Sequence, residues 1–212
     1  METTAASTPV QHPIRLVVTD DLQRTRLTVF FRLILAIPAA LWLALWGVVT
    51  FLAFIAAWFA ALFTARVPDG LHRFMAGYLR YQTHVYAYIF LIADPYPGFT
   101  GSQSYPIDLE VDPPQPQSRL TIFFRGILAI PALILASVLS YLSRLLALFS
   151  WFIALFTGRV PEGIRNFAAM ALRIETQTYG YAMLLTGQPL HAFDWELVAG
   201  GRLVVRRART QG

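Results

Sequence analysis

The chain has 212 residues, 17 of them basic and 12 acidic, for a formal net charge of +5 and a sequence pI near 9.9. Hydrophobic residues make up 56% and the mean hydropathy is +0.52, whereas an ordinary soluble domain carries about 25% charge and less apolar content. This composition excludes a disordered or collagen-like chain, and the lack of cysteine excludes disulfides and thiolate chemistry, leaving an integral membrane protein as the expectation.

The first residues, METTAASTPVQHP, lack the basic and short apolar regions of a signal peptide. Residues 1–11 read as a flexible lead, and the first apolar helix is expected to act as its own uncleaved insertion signal. PIRLVV from Pro13 alternates like a half-buried strand. Arg24, Arg26 and Arg32 follow, and then no charge occurs from Leu33 to Ala65, a run of 33 residues. A bilayer core of about 30 Å needs only about 20 apolar residues. Read as two helices of about 18 residues, each roughly 27 Å long, the stretch from Leu27 to Ala65 predicts a transmembrane hairpin turning near Gly47. A rival reading is a re-entrant hairpin confined to one leaflet, bent at Pro38.

Arg66, Arg73 and Arg80 follow the run. Basic flanks at both ends favour two crossings with both ends in the cytoplasm. ValProAspGly at Val67 opens a further helix, since Pro suits a helix start and an acid complements its dipole. Phe74, Tyr78, Val85 and Ile89 fall on one face, and Arg73, Arg80 and His84 on another. Such a helix is expected to lie in the headgroup layer, or to tip in against the hairpin.

Beyond the join GFTGSQSYP at Gly98–Pro106 the pattern repeats. RLTVFFRLILAIPA from Arg26 matches RLTIFFRGILAIPA from Arg119. WFAALFTARVPDG from Trp58 matches WFIALFTGRVPEG from Trp151. HPIRLVV matches YPIDLEV from Tyr105. All hold one offset of 93 without a gap. The chain therefore divides into module 1 (12–99), module 2 (100–193) and a tail (194–212). In that tail WELVAGGRLVV reads as a hairpin around Gly200-Gly201, ending in Arg206, Arg207 and Arg209. In module 2 the hairpin turn is expected at SVLSYLSR (Ser137–Arg144), with Arg144 at its tip and Pro131 as the rival bend.

The fold class is thus a mainly α membrane protein of two tandem repeats. Each holds a short strand, a transmembrane helical hairpin and an amphipathic interfacial helix. A small cytoplasmic β cap of four strands completes it. Four crossings put both termini in the cytoplasm, in a cell (inner) membrane.

No nucleophile elbow, zinc-binding helix, P-loop or dinucleotide fingerprint occurs. His12, His72, His84 and His191 show no metal spacing and read as surface or interface residues. Tyr81, Tyr86, Tyr88, Tyr179 and Tyr181 read as interface-belt aromatics, or as the lining of a cavity. The best candidates are the arginines present in both modules: Arg26, Arg32, Arg66 and Arg80, with Arg119, Arg125, Arg159 and Arg173. Arg grips phosphate through paired donors, so these are candidate contacts for lipid phosphate or another anion. Topological anchoring is the simpler reading.

Taken together, RLTVFFRLILAIPA, WFAALFTARVPDGLHRFMAGYLR and AYIFLIADPYPGF, behind a YPIDLEV-like strand, resemble bacterial membrane proteins called domain of unknown function 4389. The resemblance covers Pro13–Phe99 and again Pro106 to about Phe193. In module 2 TGQPLHAF from Thr186 replaces ADPYPGF. The resemblance implies a membrane-embedded module, often in tandem, and carries over no activity, cofactor or catalytic residue. The resulting expectation is a non-enzymatic accessory or scaffold subunit of a membrane complex; the alternative is a lipid- or small-anion-binding or transport protein. Expected partners are membrane lipids and a membrane protein or second copy of the chain, not nucleic acid.

Overall fold

A computed structural model describes residues 14–18, 24, 26–101 and 105–189. The predicted tail hairpin, the lead at 1–11, His12 and His191 lie outside them. The order is β1 (Ile14–Val18), α1 (Arg26–Thr64), α2 (Asp69–Ile89), β2 (Ile107–Val111), α3 (Arg119–Phe123), α4 (Arg125–Thr157) and α5 (Glu162–Ala182).

The chief departure from expectation is that neither apolar run turns back. Helix α1 is unbroken over 39 residues with Pro38 inside it, and α4 over 33 residues with Pro131 inside it. Gly47, the expected turn, instead makes room for a neighbour: a Cβ there would stand 3.1 Å from the Tyr78 hydroxyl. The serines of SVLSYLSR are helical as well. Ser137 donates to the Leu133 carbonyl one turn back (2.7 Å), and Ser140 reaches across to Glu175 (3.1 Å). Arg144 sits midway along α4 rather than at a tip, its guanidinium 5.0 Å from the Tyr141 ring.

Both long helices bury one narrow face. In α1 it is Val29, Arg32, Ala36, Ala39, Leu43, Thr50, Ala57 and Ala61; in α4 small residues dominate, from Ala129 and Ala136 through Ser140, Ser143 and Ala147 to Ala154. Small side chains let helices approach closely. The rest of each surface is exposed and apolar, from Leu27, Phe30 and Leu33 to Phe63 in α1 and from Ile127 to Phe156 in α4. Both are long and apolar enough to cross a membrane, with mean hydropathies of 2.2 and 2.0 over their most apolar stretches.

Helices α2 and α5 pack along α1 and α4 and against each other. Their polar faces are covered too: His84, Gln82, Thr83, Thr176, Gln177 and Thr178 are all buried. Of the two placements expected for these helices, packing against the long apolar helix is the one seen, and the β ribbon covers part of the polar faces, with His84 beside Asp108 and Gln177 donating to the Ile14 carbonyl. Strands β1 and β2 pair antiparallel, with Leu16 opposite Leu109. Ile14 of β1 packs so tightly on Gly180 of α5, beside Leu79 of α2, that a Cβ on Gly180 would overlap the Ile14 Cδ1 atom.

The two copies clasp each other reciprocally. The Trp58 indole N–H donates to the Ile122 carbonyl (3.1 Å), and that of Trp151 to Val29 (2.7 Å). The Arg24 N–H donates to Gly158, and the Gln117 N–H to Ala65. Shifting either partner by 93 residues returns the other contact with roles exchanged, which is the mark of an approximate twofold axis. The axis passes through the Leu16–Leu109 pair, which is itself 93 residues apart. Helix α1 begins against the end of α4, where Val29 meets Trp151, and ends against α3, which leads directly into the start of α4, where Trp58 meets Ile122. Their end-to-end directions are therefore opposed, so each lies across the axis rather than along it.

Candidate functional site

Each amphipathic helix ends in the same strained turn. Leu91 and Leu184 adopt left-handed backbone conformations (φ 57° and 65°), uncommon for a residue with a Cβ. Ile92 N–H bonds back to Ala87 and Leu185 N–H to Gly180, closing the helix ends. Such an end presents unpaired carbonyls and the negative pole of the helix, which suits a cation.

An arginine from a long helix fills that place in each module. Arg32, 1% exposed, donates to the carbonyls of Tyr88 (2.7 Å) and Ala93 (2.9 Å) and to the Asp94 carboxylate (2.7 Å). Its guanidinium lies 4.4 Å from the Tyr88 ring centre. Arg125, 2% exposed, donates to the Thr186 carbonyl (3.1 Å) and the Gln117 side-chain oxygen and lies 4.1 Å from the Tyr181 ring. The Ala93 and Thr186 carbonyls correspond across the repeat, as do the Tyr88 and Tyr181 rings. The sites diverge through two replacements: Asp94 corresponds to Gly187, and Arg24 to Gln117. Arg24 donates to Leu91 and Ile92 carbonyls (both 2.9 Å), and Gln117 to Leu184 (2.9 Å).

The other repeated arginines do not join this site. Arg26 and Arg159 are exposed. Arg66 is exposed and pairs with Asp69 (3.0 Å), and exposed Arg119 donates to the Phe63 carbonyl (2.9 Å). Arg80, half-buried, donates to the Leu109 carbonyl (3.0 Å) and lies 3.3 Å from Asp108. Burial lowers the affinity of half-buried Arg173 for its proton. The eight arginines therefore divide into a buried pair at the helix ends and scattered anchors.

Three buried polar groups lie elsewhere, each with its own partners; two of them centre on His84 and His72, which the sequence placed at a surface or an interface and which are buried here. His84 is buried, stacks on Tyr105 (4.5 Å between ring centres) and lies 3.4 Å from Asp108. Desolvation raises the Asp108 pKa, but hydrogen bonds from His84 and the Leu109 N–H, with the Arg80 charge, outweigh it and hold the carboxyl below its usual range. His72 is buried with its Nε2 3.1 Å from the Leu185 carbonyl, and desolvation pushes its pKa down. Glu175, buried in α5 at the place Gln82 takes in α2, is pushed up by desolvation, against the Ser140 hydrogen bond and the nearby Arg144 charge. Tyr81, Tyr88 and Tyr181 are buried rather than arrayed at a surface; Tyr81 donates to the Ala39 carbonyl (3.2 Å). No three metal-binding side chains gather among the described residues.

A family model described as "Domain of unknown function (DUF4389)" matches residues 26–100 and again 119–189. The chain belongs to the DUF4389 family. It carries two tandem copies of that domain, and the two matches take in Arg32 and Arg125 with the helix-end carbonyls they meet, but not Arg24 or Gln117. A 30-residue stretch is 60% identical to part of the phenylalanine–tRNA ligase beta subunit of Symbiobacterium thermophilum; it covers 14% of this chain and 3% of that protein. No solved structure matches this DUF4389 protein.

Proposed function

We propose that the protein is a non-enzymatic accessory or scaffold subunit held in a cell membrane, with both ends of each long helix at the same membrane face. The observation that carries the membrane reading is the exposed surface of α1 and α4. Only 11% and 22% of their most apolar stretches is buried, where a soluble core helix would be covered. A helix lying half in water would need a polar face, and α1 has no charge between Arg32 and Arg66 on any face.

Symmetry supports the same-face placement over a single crossing by each long helix. At 1.5 Å per residue α1 is about 58 Å long and α4 about 50 Å, far more than a bilayer core of about 30 Å. Both lie across the twofold axis. If the axis lay in the membrane plane, the ribbon on it, with half-buried Asp108 and exposed Glu110, would stand at mid-bilayer depth. Charges and open strand edges there are costly. An axis along the membrane normal puts the ribbon in water and the two ends of each long helix at one depth. Arg144 agrees: midway along a crossing helix it would sit at the bilayer centre, whereas from an in-plane helix it reaches the headgroups. The Arg clusters at both ends of each apolar run then face the same side, as the charge rule favours.

The protein has no cysteine, so single variants Arg26→Cys and Arg66→Cys can be labelled with an impermeant maleimide in sealed vesicles of known orientation. Labelling of both from one side is expected; labelling from opposite sides overturns the placement. Gentle solubilisation of native membrane should recover a second membrane protein or a second copy, and a lone monomer under all conditions counts against the scaffold role.

A further inference from the structure

We infer that module 2 carries a binding site for a phosphate-class oxyanion at Arg125, a site that module 1 lacks. A cavity of about 370 Å³ opens beside this side chain, lined among others by Gln117, Ser118, Thr121, Thr186 and Gln188. Water takes about 30 Å³ in the liquid, so the cavity has room for a phosphate group and part of what it is attached to. Of the residues lining it, Ser118 and Gly187 are exposed and Arg125 is 2% exposed.

Both arginines keep a spare donor: the Nε of Arg125, like that of Arg32, is buried without a hydrogen-bond partner, so what separates the two sites is the counterion and the space beside it. The bonds of Arg125 go to a neutral carbonyl and a neutral amide oxygen, and its ring contact is to Tyr181. Among the described residues it has no carboxylate partner. The same side chain in module 1, Arg32, meets Asp94 at 2.7 Å. At the matching position Gly187 supplies neither charge nor side chain. The replacement thus removes a counterion and leaves space in one stroke. A guanidinium with a free N–H, flanked by hydroxyl and amide groups, is suited to an oxyanion.

The oxyanion could be free phosphate or a lipid phosphate, and the full chain in detergent distinguishes them. Inorganic phosphate is titrated by calorimetry, and phosphatidic acid is compared with phosphatidylcholine by native mass spectrometry. One bound phosphate or one bound phosphatidic acid per chain is expected. The first result assigns a soluble anion and the second, alone, a headgroup. Gly187→Asp restores the internal carboxylate and should weaken binding by about tenfold or more. Gly187→Ala adds the same Cβ, 3.4 Å from Gln117 Cγ, without the charge, and should bind like the parent. Failure of both probes to bind, or an equal effect of the two substitutions, overturns the site.

Discussion

Replacing Arg32 by Met is the sharpest test of how the modules are held together. The shape and apolar stem are roughly kept, so the loss falls on the guanidinium. Three bonds of 2.7–2.9 Å disappear, and two of the acceptors left behind are carbonyls at the end of α2. Breaking a buried ion pair from one side costs about 3–5 kcal/mol. Asp94 is 28% exposed, so water relieves the orphaned carboxylate and favours the lower figure, about 3 kcal/mol. For a chain of this size that lowers Tm by about 6–12 °C, read by circular dichroism in detergent. Asp94→Asn keeps an oxygen for the guanidinium but takes the counterion from the buried cation, and should cost about 1.5–3 kcal/mol. A parent-like Tm for Arg32→Met, within about 2 °C, would show that the helix-end contact contributes little and refute the reasoning.

The tryptophan clasps should act independently, being at opposite ends of the long helices: Trp58→Phe and Trp151→Phe each cost about 1 kcal/mol, and the double variant's Tm should show their sum. Coupling well beyond about 0.5 kcal/mol would contradict two separate clasps. Gly180→Leu drives a side chain into Ile14, which leaves no room even for a Cβ, and should destabilise by about 1–3 kcal/mol with increased protease cutting near β1. For His72 the folded pKa lies below the unfolded value of 6.5. Stability is therefore full above pH 6.5 and falls as the pH drops below it, because only the unfolded chain readily takes the proton. His72→Gln should flatten the fall in Tm between about pH 7 and about pH 5; an unchanged slope rules His72 out as its source.

Much of this architecture was legible in the sequence because a repeat constrains geometry as well as composition. The offset of 93 that aligns Trp58 with Trp151 also relates their acceptors, Val29 and Ile122. Alternation marked the strands at Pro13 and Pro106 but not which strand pairs with which. The hairpins could not be judged correctly, because Gly47 and the serines near Ser140 have two physical meanings. A glycine gives a turn or a close approach, and a serine gives a loop or a bond within and between helices. Only the neighbours Tyr78 and Glu175, distant in sequence, decide between them. Among the arginines, recurrence in both modules flagged Arg32 and Arg125 but not what separates them from the exposed anchors. The useful signal was divergence: Asp94 against Gly187 and Arg24 against Gln117, positions where the copies disagree.

Those disagreements have a direction. In module 1 the buried cation is met by a carboxylate from its own turn, so its charge is consumed in holding α2 to α1. In module 2 the corresponding guanidinium meets the equivalent turn with no formal counterion among the described residues, although a buried charge left without one is costly. Nothing in the backbone forces this, since the turns at Leu91 and Leu184 are alike. A duplicated structural contact that keeps its cation and drops its acid is less stable alone and better suited to an anion from outside. The second copy also adds Glu175 and Arg144 where the first has Gln82 and Phe51. Both changes place ionisable groups on module 2 alone. Within the twofold frame the first half thus meets its buried cation with its own carboxylate, and the second half, among the described residues, meets its own with neutral groups.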